Sequence, residues 1–265
     1  MSSSRPEIQE ALLQLDELTR RLRRECPWDR EQDERSIVPH TLEEAYELGD
    51  AAQQRDDRKM LDELGDVLFQ VHFLALLLEE RGAGDLAAVA EHTRQKLIRR
   101  HPHVFSDTEV DSAADVLKNW DQIKKGEDGR ERGVFGEVPE NLPSLLYARK
   151  VQRRAASSGL DVPGHDVQIQ AVRDQLDELE RVADAEGEEG RDARYDALGD
   201  VLFAAANVAR KLQVDPELAL RSSSERFRGR VETAVQMASA DGREWDDLAP
   251  EQQLSYYARA RMASD

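Results

Sequence analysis

A fifteen-residue segment that occurs twice is the feature that most constrains the fold of this chain. Residues 61–75 read LDELGDVLFQVHFLA and residues 195–209 read YDALGDVLFAAANVA, so that eight of the fifteen positions are identical. Each copy places an aspartate, Asp66 or Asp200, directly before an apolar run. A chain of 265 residues is long enough for two modest domains with separate cores. The repeat therefore predicts two similar modules.

The composition favours helices over strands. The chain has 15 glycines and 9 prolines, and aromatic residues make up 5% of it while charged residues make up 35%. Such a composition suits amphipathic helices, and we therefore expect an all-α protein. The formal net charge of -18 would repel a nucleic-acid polymer or an anionic membrane. Neither is an expected partner.

A polar stretch is the predicted boundary between the modules. Residues 126–143 read GEDGRERGVFGEVPENLP, which is rich in glycine and punctuated by prolines. We predict an N-terminal module over residues 1–125, a linker over residues 126–142 and a C-terminal module over residues 143–265.

Apolar periodicity and capping residues predict the helices. In the first module, one helix ends near Cys26, and a second begins at Pro39 and Thr41 and runs to about Gln53. The remaining helices are predicted near residues 57–80, 85–100, 113–125, 143–157, 166–184, 191–212, 216–239 and 250–262.

The cysteine content and the start of the chain predict a cytoplasmic location. Cys26 is the single cysteine, so no internal disulfide forms, and the first residues do not follow a signal-peptide pattern. The most apolar segment, residues 67–78, is shorter than the roughly 20 residues that a membrane span needs.

Five carboxylates are spaced so that they would meet on two helices. Glu47 lies four residues after Glu43 and three after Glu44. Glu63 and Asp66 are three residues apart, and residues at these spacings share one helical face. Like charges this close destabilise a fold unless a cation lies between them. Oxygen ligands suit a hard cation, and we predict Mg²⁺, with Mn²⁺ as the alternative.

The three carboxylates of the EExxE segment also have simpler interpretations. Thr41 and Glu44 form the pattern T-x-x-E, a capping box in which Glu44 bonds the helix start, and for Glu44 alone this alternative stays open. Glu43 and Glu47 alone are typical solvated charges. Asp66 is harder to explain this way, because aspartate has a low helix propensity and here adjoins an apolar run.

Cationic and aromatic residues occur where a phosphate ligand would need them. Lys59 lies four residues before Glu63, and two further pairs with a spacing of four are Lys96 with Arg100 and Trp120 with Lys124. The cations could hold phosphate oxygens, and the indole could bound a base or sugar pocket. The alternatives are that Lys96 and Arg100 complement a helix C-terminus and that Trp120 fills the core.

These motifs together resemble the MazG family of nucleoside triphosphate pyrophosphohydrolases, which belongs to the all-α NTP pyrophosphatase superfamily. The pattern EExxE at residues 43–47 precedes ExxD at residues 63–66. The flanking strings CPWD, TLEEAYE, ELGDVLFQV, KLIRRHPHVF and NWDQIK are also similar to the family. The resemblance spans most of the chain, because two-domain MazG proteins repeat the module.

The resemblance implies hydrolysis of NTPs and dNTPs to the monophosphate and pyrophosphate, a Mg²⁺-dependent reaction of nucleotide-pool house-cleaning carried out by a homodimer. The implied metal ligands are Glu44, Glu47, Glu63 and Asp66, with the adjacent Glu43. Glu44 and Glu47 are the candidates for the general base. The implied substrate-binding residues are Lys59, Lys96, Arg100, Trp120 and Lys124.

The second module departs from the family pattern at its acidic motifs. Its EExxE reads DQLDE, with Gln175 in place of a carboxylate, and its ExxD reads ALGD, with Ala197 in place of a glutamate. We therefore predict that the first module is catalytic and the second is degenerate. Two alternatives stay open: an inactive helical interaction module, or a narrower enzyme such as a dUTP or phosphoribosyl-ATP pyrophosphohydrolase.

Overall fold

The computed structural model describes residues 3–106, 116, 119–120, 123, 133–136, 138–139, 141–162 and 164–264. Over these ranges the chain forms eleven α-helices and one short 3₁₀ helix, and no strand occurs among the described residues. The predicted all-α class is confirmed. The chain divides into two compact units, residues 1–128 and residues 129–265. The linker predicted at residues 126–142 falls mostly outside the described residues and stays a prediction.

The first unit is organised around one central helix. Its helices are α1 (Arg5–Glu25), α2 (Pro27–Glu31), α3 (Glu34–Gln54), α4 (Asp57–Glu80), α5 (Leu86–Arg100) and α6 (Pro102–Phe105). Helix α4 contacts α3, α1 and α5. The core between them contains the buried Ile37, Phe73 and Leu77, with Phe69 and Leu74 packed against them.

Two arginines of α1 attach this helix to the end of α4. Arg20 donates to both carboxylate oxygens of Glu79, at 2.9 and 2.6 Å, and Arg23 donates to both of Glu80, at 2.8 Å each. Arg23 also donates to the carbonyl oxygens of Asp29 and Gln32, at 2.6 and 3.0 Å. Bidentate pairs of this geometry restrict both partners, so that Arg23 links α1, α4 and the C-terminal half of α2.

Helix α3 begins earlier than the sequence predicted. Asp33 is its N-cap and forms a capping box with Ser36, so the helix starts at Glu34 and continues through Pro39. Thr41 lies inside the helix, where its hydroxyl donates to the carbonyl oxygen of Ile37 at 3.3 Å. The predicted start at Thr41 is therefore wrong, and the capping-box interpretation of Glu44 is wrong with it. The reason is that a better cap lies eight residues upstream.

The second unit contains five α-helices and the 3₁₀ helix. These are α7 (Ser144–Ser157), α8 (Asp166–Val182), α9 (Gly187–Lys211), α10 (Pro216–Ala240), the 3₁₀ helix Trp245–Asp247 and α11 (Pro250–Ser264). Helix α9 contacts α8 and α7, and α10 contacts α11. One core cluster lies between α10 and α11 and consists of Ala234, Ala238, Tyr256 and Ala260. In the described part of the chain, no helix combines the length and apolar character that crossing a bilayer requires.

Candidate metal centre

A tight turn aligns the two acidic motifs of the first unit. Arg55 ends α3 in the left-handed conformation, with a φ of 54°, and Asp56 caps α4 by accepting from the backbone N–H groups of Arg58 and Lys59. The two helices therefore run antiparallel as a hairpin. Glu44 and Asp66 lie eleven residues on either side of Arg55 and thus at matching heights.

The hairpin brings three carboxylates together. One oxygen each of Glu44, Glu63 and Asp66 lie within 4.8 Å of one another. Glu63 is buried, Glu44 is half-buried and Asp66 is exposed, so that the group lies at the edge of the α3–α4 contact and opens to solvent. No second group of this kind occurs among the residues that the structure describes.

The electrostatics of the group are unfavourable without a cation. Burial, followed by the charges of Asp66 and Glu47, raises the pKa of the Glu44 carboxyl. Burial, followed by the charges of Glu47 and Asp66, likewise raises the pKa of Glu63. A carboxyl group whose pKa is raised by folding stabilises the folded state only while it is protonated. This contribution is lost as the pH rises through the raised pKa. The ionised group at neutral pH is therefore one that a cation would stabilise.

The donor set fits a hard divalent cation. All three groups offer carboxylate oxygens, which are the ligands that Mg²⁺ and Ca²⁺ prefer. The neighbouring charges that shift the pKa values of Glu44 and Glu63 are all carboxylates, so the group is strongly negative when ionised. The open side of the group leaves room for waters or for substrate oxygens.

The two remaining predicted ligands, Glu47 and Glu43, flank this group. Glu47 is exposed and close enough to Glu63 to raise its pKa. The carboxylate of Glu43 lies 3.8 Å from Nδ1 of His40, one turn earlier on α3.

The structure places the predicted phosphate-binding residues on three elements. Lys59 is exposed in the first turn of α4, while Lys96 is half-buried and Arg100 buried on α5, which contacts α4. Trp120 lies beside His101, with ring centroids 6.3 Å apart, and its Nε1 is buried. Lys124 and most of the predicted helix 113–125 lie outside the described residues.

The second unit lacks the equivalent arrangement at its repeated motif. Ala197 is buried on α9 at the position of Glu63, and Asp200 is exposed. On α8, Asp174 accepts a hydrogen bond from Gln170 at 2.9 Å. The described residues of this unit therefore do not assemble three converging carboxylates.

Trp28 and His40 form a ring pair that the sequence did not predict as part of the site. Trp28 is 52% exposed, and its ring centroid lies 6.0 Å from that of His40 at an interplanar angle of 65°. The string CPWD contains this tryptophan, but the pattern alone could not reveal that its ring is open to solvent.

The chain is all-α, and carboxylates from two antiparallel helices meet in it. It therefore belongs to the class of helical proteins that have a candidate site for a divalent cation. Comparison with known proteins narrows this class. Residues 32–105 match the MazG nucleotide pyrophosphohydrolase domain, and this range includes the whole hairpin.

Three relatives extend the similarity beyond that domain. The chain is 37% identical over 227 residues to the nucleoside triphosphate pyrophosphohydrolase of Escherichia coli, an alignment that covers 83% of this chain and 84% of the relative. It is 36% identical over 237 residues to the nucleoside triphosphate pyrophosphohydrolase/pyrophosphatase MazG of Thermotoga maritima, covering 89% of both. It is 32% identical over 208 residues to the nucleoside triphosphate pyrophosphohydrolase of Mycobacterium tuberculosis, covering 74% of this chain and 61% of the relative. The chain belongs to the MazG family.

Proposed function

We propose that this protein hydrolyses nucleoside triphosphates and deoxynucleoside triphosphates to the monophosphate and pyrophosphate, with Mg²⁺ as the cofactor and house-cleaning of the cytoplasmic nucleotide pool as the role. The observation that carries the proposal is the convergence of Glu44, Glu63 and Asp66 within 4.8 Å. Membership of the family and the names of its relatives support it.

We assign the carboxylates two roles, binding of the cation and acceptance of a proton. Glu44, Glu63 and Asp66 would hold the cation, with Glu47 completing the set on the exposed side and Glu43 next to it. When bound, Mg²⁺ would neutralise the charge that develops on the phosphate oxygens. Glu44 or Glu47 would accept the proton of the attacking water, since both lie on α3 beside the open face.

Cations of the first unit would hold the remaining phosphate charge. Lys59 is on the same helix as Glu63 and Asp66, one turn before Glu63. Lys96 and Arg100 lie on α5, and with Lys124 they would bind the phosphate groups, while Trp120 would bound the base or sugar. The second unit would support the fold without turnover, because its α8–α9 pair lacks the carboxylate set.

A pyrophosphate-release assay tests this function. With the full-length chain and excess Mg²⁺, we expect equimolar nucleoside monophosphate and pyrophosphate from several NTPs and dNTPs, and no release after chelation with EDTA. Restoring Mg²⁺, or adding Mn²⁺, should restore activity. Orthophosphate as the product would contradict the proposal. Turnover confined to dUTP or to phosphoribosyl-ATP would mean that the protein is instead a pyrophosphohydrolase specific for that one substrate.

We also propose that the protein is a homodimer. The central helix α4 carries an exposed apolar stripe, with Leu61 at 75%, Leu64 at 49% and Val71 at 39% exposure. Such a stripe is typical of a surface that is buried on association. Light scattering at micromolar concentration should give twice the chain mass. A monomer mass in a fully active sample would contradict the dimer without affecting the assay above.

A further inference from the structure

We propose that Trp28, with His40 beside it, is the surface on which the nucleobase of the substrate stacks. This inference rests on the proposed function and adds to it a second aromatic surface for the base, besides Trp120. Its starting point is that Trp28 is the exposed member of the three tryptophans, all of which are described. An exposed indole next to a cluster of charges calls for a ligand with an aromatic face.

The backbone that carries the indole is held in place by its surroundings. Trp28 belongs to the short helix α2, whose Pro27 occupies the first helical position and whose Asp29 is buried. The carbonyl oxygen of Trp28 accepts from the side-chain amide of Gln32 at 2.8 Å. Arg23 donates to the carbonyl oxygens of Asp29 and Gln32, which follow Trp28 in the chain. A ring presented by a fixed backbone loses little freedom when a ligand stacks on it.

His40 connects the indole to the carboxylates. Its ring meets that of Trp28 at an interplanar angle of 65°, an edge-to-face arrangement in which Trp28 remains 52% exposed. His40 lies one helical turn, about 6 Å along the axis, before Glu44, and its Nδ1 is 3.8 Å from the carboxylate of Glu43. The aromatic pair therefore adjoins the carboxylate group, so that one end of the site suits phosphates and the other a planar base.

Stacking would bind different bases without strong preference among them. Every base has a π-face, and stacking of a base on an aromatic side chain tolerates any of them. Each base would bury one face on Trp28 whatever hydrogen bonds its edge makes. We therefore expect loss of the indole to weaken the binding of purine nucleotides and of pyrimidine nucleotides to a similar extent.

The test compares substrates with and without a base. In Trp28→Ala, kcat/KM for ATP and for dCTP should fall by about tenfold or more, the usual effect of removing a stacked aromatic ring, chiefly through a higher KM. Inorganic tripolyphosphate, which has no base, should keep its kcat/KM or its inhibition constant. Trp28→Phe should retain most of the wild-type activity, and Tyr195→Ala, which removes a 79% exposed aromatic ring of the second unit, should match the wild type.

The possible outcomes separate this inference from the proposed function. Equal losses for ATP and tripolyphosphate, or a changed oligomeric mass, would assign Trp28 to the framework and overturn the stacking role. Unchanged kinetics in Trp28→Ala would overturn it as well, while leaving the pyrophosphohydrolase function intact. A wild-type protein that releases no pyrophosphate would overturn both. Circular dichroism of each variant checks the fold, and Trp28→Phe keeps the test decisive if Trp28→Ala is unstable.

Discussion

We expect replacement of Asp66 by asparagine to lower nucleoside triphosphate hydrolysis by about 100-fold or more and to leave the helical fold intact. The substitution removes one negative charge from the group formed with Glu44 and Glu63, which weakens cation binding and the stabilisation of charge in the transition state. Loss of one such electrostatic contact in an enzyme commonly costs about 10²–10³-fold in rate. Because Asp66 is exposed and repelled by its neighbours, the variant should be at least as stable as the wild type.

The matched control is Asp200→Asn, the equivalent change in the second repeat. Its neighbour Ala197 offers no oxygen ligand, so turnover should stay within about twofold of the wild type. Initial rates of pyrophosphate release, measured over a range of Mg²⁺ concentrations, provide the comparison. Activity that survives Asp66→Asn and is lost in Asp200→Asn would place the catalytic site in the second unit.

Removal of the Phe73 ring gives the largest expected loss of stability. Phe73 is fully buried between α3 and α4, where it contacts Ile37 and Leu77, and the Phe69 ring lies 6.0 Å away. The guanidinium of Arg23 lies 5.8 Å from its centroid. Replacing a buried phenylalanine by alanine costs about 3–5 kcal/mol, and we expect a value in this range for the first unit.

Denaturant unfolding followed by circular dichroism measures this change in the transition that belongs to the first unit. Phe105→Ala is the control, because Phe105 is 59% exposed at the end of α6 and should change the free energy of unfolding by less than about 0.5 kcal/mol. A loss below about 1 kcal/mol for Phe73→Ala would mean that this cluster does not hold the α3–α4 pair together.

The periodicity of the sequence was sufficient to predict most helices and the convergence of three of the five carboxylates. Helix α4 was predicted at about 57–80 and forms Asp57–Glu80. The spacings of Glu44, Glu63 and Asp66 predicted that these residues would share faces of two helices, and the structure brings the three together. Regular helices repeat at 3.6 residues, so spacing alone carries this information.

The start of α3 and the exposure of Trp28 could not be predicted from the sequence. The first depends on competition between nearby capping residues, and the second depends on how the folded chain covers the ring. Pro39 and Thr41 have the chemistry of a helix start, yet Asp33 and Ser36 form a capping box earlier and the helix continues through the proline. Trp28 lies on α2, which Arg23 binds through the carbonyl oxygens of Asp29 and Gln32, and no spacing rule connects these residues. Buried and exposed tryptophans are indistinguishable in a sequence.

The turn at Arg55 has a consequence for the history of the chain. It aligns carboxylates that all lie between residues 43 and 66, so a single short stretch of gene encodes the whole set. Duplication of such a stretch transmits the complete set to the new copy at once. Substitutions in one copy, such as those that leave Gln175 and Ala197 in the second, then remove carboxylates from that copy without disturbing the other. Inheritance of this site is therefore modular, and each half of the chain is free to diverge.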